Sequence, residues 1–371
     1  MACWKLVRLK FGRNVAHFGE LGIGMEETSE RVRSDTLLSA WISAYARLAS
    51  HTNEFGELLT QLNSPDPPFC LSSTFIYQKI GQDTRYYLPC PRKKPPNYSF
   101  ENDLSLAKDY KKLAYLPLDV WHRWYQTDAG FSINDVYELT GKNARSTYKN
   151  AFKTDKLPKI AVDRITRATN LYYTGIVQYH WQFNKDEPEG VESLSGLYFL
   201  VKFSDEKWLN PFFAVLDFLG GEGIGGERSS GAGQFKVDRS TEQPIEKDSA
   251  IELTDLWKQV INPSETNAYT LLSLFWTDDS AELDTLQLQT SPLVSYDLQE
   301  RGGWIASPCS DGRQLRRQTV QMFTEGSVFP HELKGKLADV TPRNAKDEKT
   351  FTTHDIYRSG IALSLPIKVK E

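Results

Sequence analysis

Seven glycines crowd a window of fourteen residues, positions 220–233, in the sequence GGEGIGGERSSGAG. Each glycine loses much conformational entropy on folding, so such a cluster is expected where the backbone adopts unusual dihedral angles or closely approaches another group. Main-chain N–H groups without neighbouring side chains can reach phosphate oxygens, and Arg228, Ser229 and Ser230 add side-chain donors. The window therefore predicts a loop that binds a phosphate-bearing ligand, with a turn that binds no ligand as the alternative.

Two nucleotide-binding motifs share part of this pattern. Gly221, Gly223 and Gly226 match the bare G-x-G-x-x-G of dinucleotide sites, but such a site needs a helix that begins at the last glycines and faces the pyrophosphate. Here ERSSGAG and then an expected strand follow. A P-loop is disfavoured too, because no Gly-Lys-Ser/Thr triplet closes the window.

His17 is the candidate for acid–base chemistry. An imidazole that titrates near neutral pH suits proton transfer during attack by a 2′-hydroxyl group, but a histidine in a loop also serves RNA binding or packing, which we favour. The pairs His354-Asp355 and Asp278-Asp279 resemble fragments of metal sites. Because no further ligands are evident near either pair in the sequence, neither predicts a metal centre.

The N-terminal elements must position His17. Apolar side chains alternate at a period of two in residues 5–11, which predicts a half-buried strand. A polar, glycine-bearing loop follows and contains His17. Ser34 or Asp35 is expected to cap the next helix, Asp35 being the better cap. The apolar face of that helix comprises Leu37, Trp41, Tyr45 and Leu48.

The middle of the chain combines aromatic and basic segments. Residues 109–125 interleave aromatic and basic side chains, which suits base stacking but is more typical of a buried core. Residues 134–159 are polar and basic, and they predict an exposed hairpin or arm. For Asp163 and Arg164 we expect a salt bridge rather than a catalytic pair.

The second half is predicted to be rich in strands. Residues 211–219 are a short helical or extended run, and Gly302-Gly303 suggests a tight hairpin. Periodicity and flanking turn residues predict further strands at residues 74–80, 86–88, 196–203, 234–237, 268–276, 319–323 and 361–369.

Composition limits the number of domains and the class of protein that the chain can form. A chain of 371 residues, 40% hydrophobic and 25% charged, suits two globular domains. The formal net charge of -4 is not that of a wholly basic nucleic-acid binder, so any positive charge that contacts RNA must be confined to one groove. No apolar run or signal sequence predicts a membrane association, so a cytoplasmic protein is expected. The four cysteines form no C-x-x-C pair and predict reduced thiols: Cys3, Cys70, Cys90 and Cys309.

Five separated blocks carry a resemblance to a known family. GGEGIGGERSSGAGQF resembles the glycine-rich loop of the RAMP superfamily of CRISPR proteins. Four further blocks occur in the family's order: the opening VRLKF…HFGELGIG…RSDTLLSAW, residues 162–175 (VDRITRATNLYYTG), residues 318–329 (QTVQMFTEGSVF) and residues 357–367 (YRSGIALSLPI). Together they resemble the family of subunit four of the type III-A CRISPR Csm complex, in the Cas-five group.

The resemblance implies an α+β fold of two ferredoxin-like (RRM-related) modules with antiparallel sheets. Residues 1–190 would form the first module, with a basic thumb-like insert at about residues 134–160. Residues 191–371 would form the second and carry the glycine-rich loop. The implied function is a non-catalytic subunit for antiviral defence that needs no cofactor. It would hold the single-stranded 5′ tag of the guide RNA (crRNA) and contact the large polymerase/cyclase-like subunit and the guide-coating backbone subunit.

The resemblance also implies which residues contact RNA. In the loop they are Gly220, Gly221, Gly223, Gly225, Gly226, Arg228, Ser229, Ser230, Gly231 and Gly233. Arg228 has an alternative role, an ion pair with Glu222 or Glu227 that ties the loop down. Outside the loop the predicted contacts are His17, Arg33, Ser34, Arg164, Thr166, Lys142, Arg145, Tyr148 and Lys149.

Three other functions stay open at this point. The chain could be a metal-independent endoribonuclease that processes guide RNA with His17, the equivalent subunit of a type III-B complex, or a free-standing interaction protein without RNA.

Overall fold

The computed structural model describes residues 3–19, 24–49, 54–81, 83–98, 104–141, 148–185, 190–238, 252–288, 290–305, 315–344 and 346–370. The first half contains, in chain order, β1 (Cys3–Lys10), α1 (Ser34–Leu48), α2 (Glu54–Leu62), β2 (Phe69–Leu71), β3 (Phe75–Ile80), β4 (Asp83–Pro89), α3 (Leu104–Lys111), β5 (Tyr115–Pro117), α4 (Leu118–Gln126), α5 (Ile133–Thr140), β6 (Phe152–Val162), β7 (Thr169–Tyr179), β8 (Trp181–Phe183) and β9 (Val191–Ser193).

The second half contains β10 (Ser195–Phe203), α6 (Leu209–Glu222), β11 (Lys236–Val237), α7 (Glu252–Ile261), β12 (Ala268–Leu271), α8 (Ser280–Thr285), β13 (Leu298–Arg301), β14 (Val320–Phe323), β15 (Val328–Phe329), β16 (Leu337–Asp339), β17 (Tyr357–Ser359) and β18 (Ser364–Ile367). The protein thus has a mixed α/β fold with several antiparallel sheets, which confirms this part of the predicted fold class.

The largest sheet has the strand order β11-β1-β10-β3-β4-β5, and β2 also pairs with β10. β1 and β10 are antiparallel, with the register running from Cys3↔Phe203 to Leu9↔Leu197. The predicted strands at residues 5–11, 74–80, 86–88 and 196–203 are confirmed. The domain boundary at residue 190 stays a prediction, although this sheet pairs strands from both sides of that position.

The central strands are buried on both faces, so the prediction that β1 is half-buried is wrong. Val7 and Leu9 point into a core that α1 and α6 cover, with Trp41 and Phe212 at its centre. Side chains on the opposite face of β1 enter a second core, which is covered by α4 and α7. Alternation of apolar residues cannot reveal this second cover, because Arg8 and Lys10 place charges on that face, where both pair with Asp238.

Three smaller sheets organise the second half: β15-β12-β18, β13-β14 and β16-β17. The predicted tight hairpin at Gly302-Gly303 is wrong. β13 and β14 pair with Arg301 opposite Val320, and a further bridge joins Trp304 to Arg316. The chain therefore continues past both glycines before it returns.

The prediction for α1 is confirmed in part, and the buried core predicted for the aromatic segment is confirmed. The helix predicted after Asp35 is confirmed, but its N-cap is Arg33, which makes no side-chain capping bond. Three residues of its predicted apolar face are buried, whereas Leu48 is exposed. In the aromatic segment, Trp121, Trp124 and Tyr125 are fully buried, which confirms the core over a stacking surface.

The described residues were predicted to contain no membrane span and only reduced thiols. No helix there combines the length and the apolar character that a bilayer crossing needs. Cys3, Cys70 and Cys90 carry free thiols, and Cys309 lies outside the described residues. Burial raises the pKa of the Cys70 and Cys90 thiols to about 11, so both stay protonated and unreactive at neutral pH.

A buried ionic network joins the N-terminal segment to the second half. Arg31 donates two hydrogen bonds of 3.1 Å to the Glu325 carboxylate. Arg33 and the Ser73 hydroxyl donate to the same carboxylate. Burial by itself raises the pKa of Glu325, but the charges of Arg31 and Arg33 outweigh burial and lower that pKa to about 2.

This network predicts a pH-dependent contribution to stability. Because the folded pKa of Glu325 lies below its unfolded value, Glu325 stabilises the fold fully above about pH 4.5, and this contribution is lost as the pH falls toward 2. Glu325→Gln should lower the free energy of unfolding at pH 7 by on the order of 3 kcal/mol. Urea unfolding of both proteins between pH 7 and pH 3 measures the difference, which should shrink as the pH falls. A difference that is constant with pH would contradict the account.

Candidate nucleic-acid interface

The glycine window begins inside α6 and continues as a compact loop. Gly223 ends the helix with a φ of +85°, and Gly225, Gly231 and Gly233 also have positive φ. The Ile224 amide donates to the Gly233 carbonyl at 2.9 Å, which folds the loop back on itself. Positive φ strains residues that have a Cβ atom, so the backbone itself requires glycine at these places.

Close approach to residues 15–18 explains further glycines. The Gly226 amide donates to the His17 carbonyl at 2.9 Å, and the Gly233 amide donates to the Val15 carbonyl at 2.8 Å. A Cβ atom built on Gly225 would lie 2.3 Å from the His17 carbonyl oxygen. Much of the window is therefore glycine because the chain packs against itself, and this reason is independent of any ligand.

The outer part of the loop, residues 227–231, has a different character. Glu227 adopts the left-handed conformation with a φ of +58°, and Arg228–Ser230 form a right-handed 3₁₀ turn directly after it. Within the described residues, the amides of Glu227, Arg228 and Ser229 donate no hydrogen bond. A left-handed residue followed by a right-handed one points successive N–H groups to the same side, which is the geometry of an anion-binding nest.

The hairpin of β6 and β7 is fixed against this loop. Lys159 of β6 forms an ion pair with Glu227, and its ammonium group donates to the Ser230 hydroxyl at 3.3 Å. The His17 imidazole donates from Nδ1 to the Gly175 carbonyl of β7 at 2.7 Å. The loop, His17 and the hairpin thus form one unit; residues 227–231 together with Lys159 are called the loop–hairpin surface below.

Arg228 is exposed on the loop–hairpin surface. Its two expected carboxylate partners are engaged elsewhere, because Glu222 forms an ion pair with Arg47 and Glu227 forms one with Lys159. Hydrogen bonds from Arg47 and Lys159 lower the pKa of the Glu222 and Glu227 carboxyls respectively. Within the described residues Arg228 has no ion pair, but its positive charge contributes to the lowered pKa of Glu222, so its tie-down role stays a prediction.

The exposed arm differs in extent from its prediction. Residues 134–140 belong to α5, which buries Val136. The hairpin of β6 and β7 spans residues 152–179, and its outer part, residues 153–173, is largely exposed, whereas residues 174–177 are buried. Beyond its lysines it carries a set of large exposed apolar side chains, which the charge pattern of the sequence did not indicate. They are Leu157, Ile160, Val162, Ile165, Leu171 and Tyr173.

Arg164 and Thr166 lie in the turn between β6 and β7, and both are exposed. The expected Asp163–Arg164 salt bridge is wrong. The Asp163 carboxylate instead accepts hydrogen bonds from the amides of Ile165 at 2.8 Å and Thr166 at 2.7 Å. The bond from the Thr166 amide is the largest of the effects that lower the pKa of Asp163.

Other predicted contacts have protein partners. Arg33 is half-buried against Glu325. Ser34 is buried, and its hydroxyl accepts a hydrogen bond of 2.9 Å from the Leu274 amide. Tyr148 stacks on Tyr115 with ring centroids 4.3 Å apart. RNA contact through these three side chains stays a prediction, which their contacts with protein groups do not support.

The remaining predicted residues lie apart from the loop–hairpin surface or outside the description. Lys149 is exposed in a short turn before β6. Lys142 and Arg145 lie outside the described residues. Asp355 pairs with Lys349 and Asp278 pairs with Lys336, so both metal-site fragments serve as ion pairs. In the described part of the chain, no group of three or more His, Cys, Asp or Glu side chains is arranged to hold a metal ion.

Residues 264–367 match the model of the family described as the CRISPR Csm4 C-terminal domain. A curated protein of Methanocaldococcus jannaschii, named CRISPR system Cms protein Csm4, is 23% identical over 393 residues and covers 95% of each chain. A protein of the same name from Mycobacterium tuberculosis is 25% identical over 337 residues and covers 91% of each chain. The chain is thus similar to Csm4 proteins over more than nine-tenths of its length, and residues 264–367 match their C-terminal domain.

Solved structures that contain Csm4 share the fold of this chain. The Csm3-Csm4 subcomplex of a type III-A CRISPR-Cas interference complex includes a chain that matches with a TM-score of 0.57 and 16% identity, covering 98% of this chain and 99% of that chain. A Csm1-Csm4 cassette in complex with cA4 includes one that matches with a TM-score of 0.52 and 16% identity over the full length of both chains. The likeness extends over the whole chain.

The packing of the loop predicts opposite effects for two neighbouring glycines. Gly225→Ala should destabilise the protein by about 1 to 3 kcal/mol, because it combines a positive φ with a clash at the His17 carbonyl. Gly221→Ala is the matched control: its Cβ would meet no atom within 4 Å, so stability should be unchanged or slightly higher. Chemical unfolding measures both. Equal losses of stability would show that the contact with His17 does not explain the glycine.

Proposed function

We propose that this chain is the subunit of a type III-A CRISPR effector complex that holds the 5′ tag of the guide RNA without cleaving it. One observation carries the proposal: within the described residues the amides of Glu227, Arg228 and Ser229 donate no hydrogen bond, and they lie on a turn whose residues 228–230 are exposed. Main-chain donors of this kind bind phosphate oxygens whatever the base sequence. A single-stranded guide end offers such oxygens in a row.

Local charge supports the same function despite the net charge of -4. Glu222 and Glu227 are the acidic side chains of the glycine window, and Arg47 and Lys159 neutralise them. Arg228 then stands without a carboxylate partner among the described residues, with Ser229 and Ser230 as neighbouring hydroxyl donors. The local excess is positive, as an RNA backbone requires.

The β6–β7 hairpin fits the role of the thumb-like insert, which the resemblance implied at about residues 134–160. It is anchored to the loop through Lys159 and to His17 through Gly175. Its exposed apolar side chains, among them Ile160 and Leu171, offer surface on which bases or a neighbouring subunit can pack. We therefore assign residues 152–179 as the thumb that supports the guide beside the tag.

The strand order supports one of the two ferredoxin-like modules. In the order β11-β1-β10-β3, the first and last strands of a β-α-β-β-α-β unit lie beside each other, and α1 and α6 follow β1 and β10 in the chain. That unit would be interrupted by residues 81–190 rather than end at them. We place the second module in the part of the chain that includes residues 264–367.

Partner subunits follow from the relatives. Solved structures with this fold contain Csm4 together with Csm3, and Csm4 together with Csm1. We propose that this chain contacts the guide-coating backbone subunit and the large polymerase/cyclase-like subunit of its own complex, and that it does so in the cytoplasm. The acidic surfaces implied by its net charge are then available for protein contacts.

Arg228→Ala tests the loop–hairpin surface. Because Arg228 is exposed and has no ion pair among the described residues, its removal should leave stability unchanged. RNA affinity should fall by about 5- to 10-fold, and the dependence of log K on log salt should lose a slope of about 1. Fluorescence anisotropy with a single-stranded RNA measures both quantities.

The matched control for this measurement is Arg92→Ala, which removes one exposed arginine that pairs with Asp297. It should bind RNA as the unaltered chain does. If both variants lose affinity equally, the RNA responds to net charge alone and the loop–hairpin surface is not its site.

The geometry around His17 supports a subunit without nuclease activity. Its side chain is buried, its Nδ1 atom donates to Gly175, and the ring lies against Gly226. A general base must reach the 2′-hydroxyl that it deprotonates, and this imidazole is engaged in packing.

His17→Gln in the assembled complex therefore should leave the length and the 5′ end of the guide RNA unchanged. RNA sequencing of the bound guides provides the measurement. Gly225→Ala is the companion variant, because it loosens the same loop and leaves the imidazole in place. Accumulation of unprocessed precursor with His17→Gln alone would establish the endoribonuclease instead.

A further inference from the structure

Arg317 is a half-buried arginine whose side chain lacks a counter-ion within the described residues. Its main chain is fixed, because the Arg317 amide donates to the Gly303 carbonyl at 2.9 Å. The Nε atom is buried and makes no hydrogen bond. No carboxylate among the described residues lies within ion-pair distance of the guanidinium group.

The nearby carboxylate, Asp35, is already fully engaged. Its Oδ2 atom accepts from Arg301 Nε at 2.9 Å and from the Arg358 guanidinium. Its Oδ1 atom accepts from the Thr36 amide at 2.7 Å and from Arg301 Nη2 at 3.1 Å. Asp35 is fully buried, so it has no free lone pair to offer to Arg317.

Arg358 extends the same cluster. It is buried, and it donates from Nη2 to the Gly302 carbonyl at 2.7 Å. Its Nε atom is a second buried donor without an acceptor. Two buried Nε donors without an acceptor therefore lie on Arg317 and Arg358, and the positive charge of Arg358 acts on Arg317.

The electrostatics favour an anion here. Burial lowers the pKa of Arg317 to about 10, with a further lowering by the positive charges of Arg358 and Arg301 and an opposing effect of Asp35. Arg317 still carries its charge at neutral pH, and a half-buried charge without a partner is destabilising. Binding of an anion would remove that penalty.

We propose that Arg317, with Arg358 behind it, forms a binding site for a phosphate group. A guanidinium presents parallel N–H donors that match a phosphate, and the exposed Arg316 adds a further positive charge beside it. The cluster also lies at the start of α1, where the helix dipole favours negative charge. This site is distinct from the loop–hairpin surface and stands independently of the function proposed for that surface.

Thermal unfolding of the full chain with inorganic pyrophosphate, at constant ionic strength, tests the site. The unaltered chain and the control Arg343→Ala should unfold at a temperature higher by roughly 1 to 3 °C when pyrophosphate is present. Arg317→Ala should show no such rise. Without pyrophosphate, Arg317→Ala should be as stable as the unaltered chain or more stable, because the substitution removes an unpaired charge.

Two results would overturn the site. One is a pyrophosphate response of Arg317→Ala that equals that of the unaltered chain. The other is an equal response of the unaltered chain to citrate, which would identify a site for carboxylates and hence for an acidic protein partner.

Two further arms distinguish the source of the phosphate. If it is an RNA phosphodiester, Arg317→Ala should bind single-stranded RNA about 3- to 10-fold more weakly, additively with Arg228→Ala. If it is a free nucleotide, a nucleoside triphosphate should raise the unfolding temperature while the RNA affinity of Arg317→Ala stays unchanged. Either result supports the site, and neither depends on where the guide tag binds.

Discussion

The antiparallel pairing of β1 with β10 is the constraint on which the rest of the structure depends. Both strands are buried on both faces, so their register is fixed by two hydrophobic cores at once. The chain that leaves β1 carries Val15 and His17, and the chain that leaves β10 passes through α6 into the glycine window. The pairing therefore brings two segments together that are about two hundred residues apart in the sequence.

Within that arrangement the glycines have two separate purposes. Gly225 allows the loop to lie on the His17 carbonyl, Gly226 leaves room for the His17 imidazole, and Gly233 leaves room for the Ile224 carbonyl while its amide donates to Val15. This inner contact holds residues 227–231 in place, and the amides of residues 227–229 have no acceptor among the described residues. Preorganised donors bind an anion without a new ordering cost, so the inner packing supports the outer binding surface.

Sequence reasoning located the elements better than it located their partners. Local periodicity was sufficient for β1, α1 and β10, because their apolar faces repeat at the period of the backbone. It could not show that both faces of β1 are covered, since the cover comes from helices far along the chain. The pairing of Arg31 with Glu325, separated by 294 residues, is invisible for the same reason.

In the candidate site too, the local residues were predictable from the sequence, whereas their long-range contacts were not. A glycine cluster followed by Arg228, Ser229 and Ser230 was enough to identify the loop, whereas its attachment to Lys159 depends on a strand register that no local pattern specifies. The resemblance implied RNA contacts for Ser34 and Tyr148, yet tertiary packing gives both side chains protein partners. Residue type indicates what a side chain can do, and burial decides whether a ligand can reach it.

The central claim is that main-chain donors at residues 227–229 hold an RNA strand. Hydrogen exchange at single-residue resolution, on the full chain with and without single-stranded RNA, tests this claim most directly. The account predicts that the amides of these three residues exchange fast alone and slowly with RNA, whereas the amides of Gly226 and Gly233 are slow in both states. Unchanged exchange at residues 227–229 under saturating RNA would contradict it.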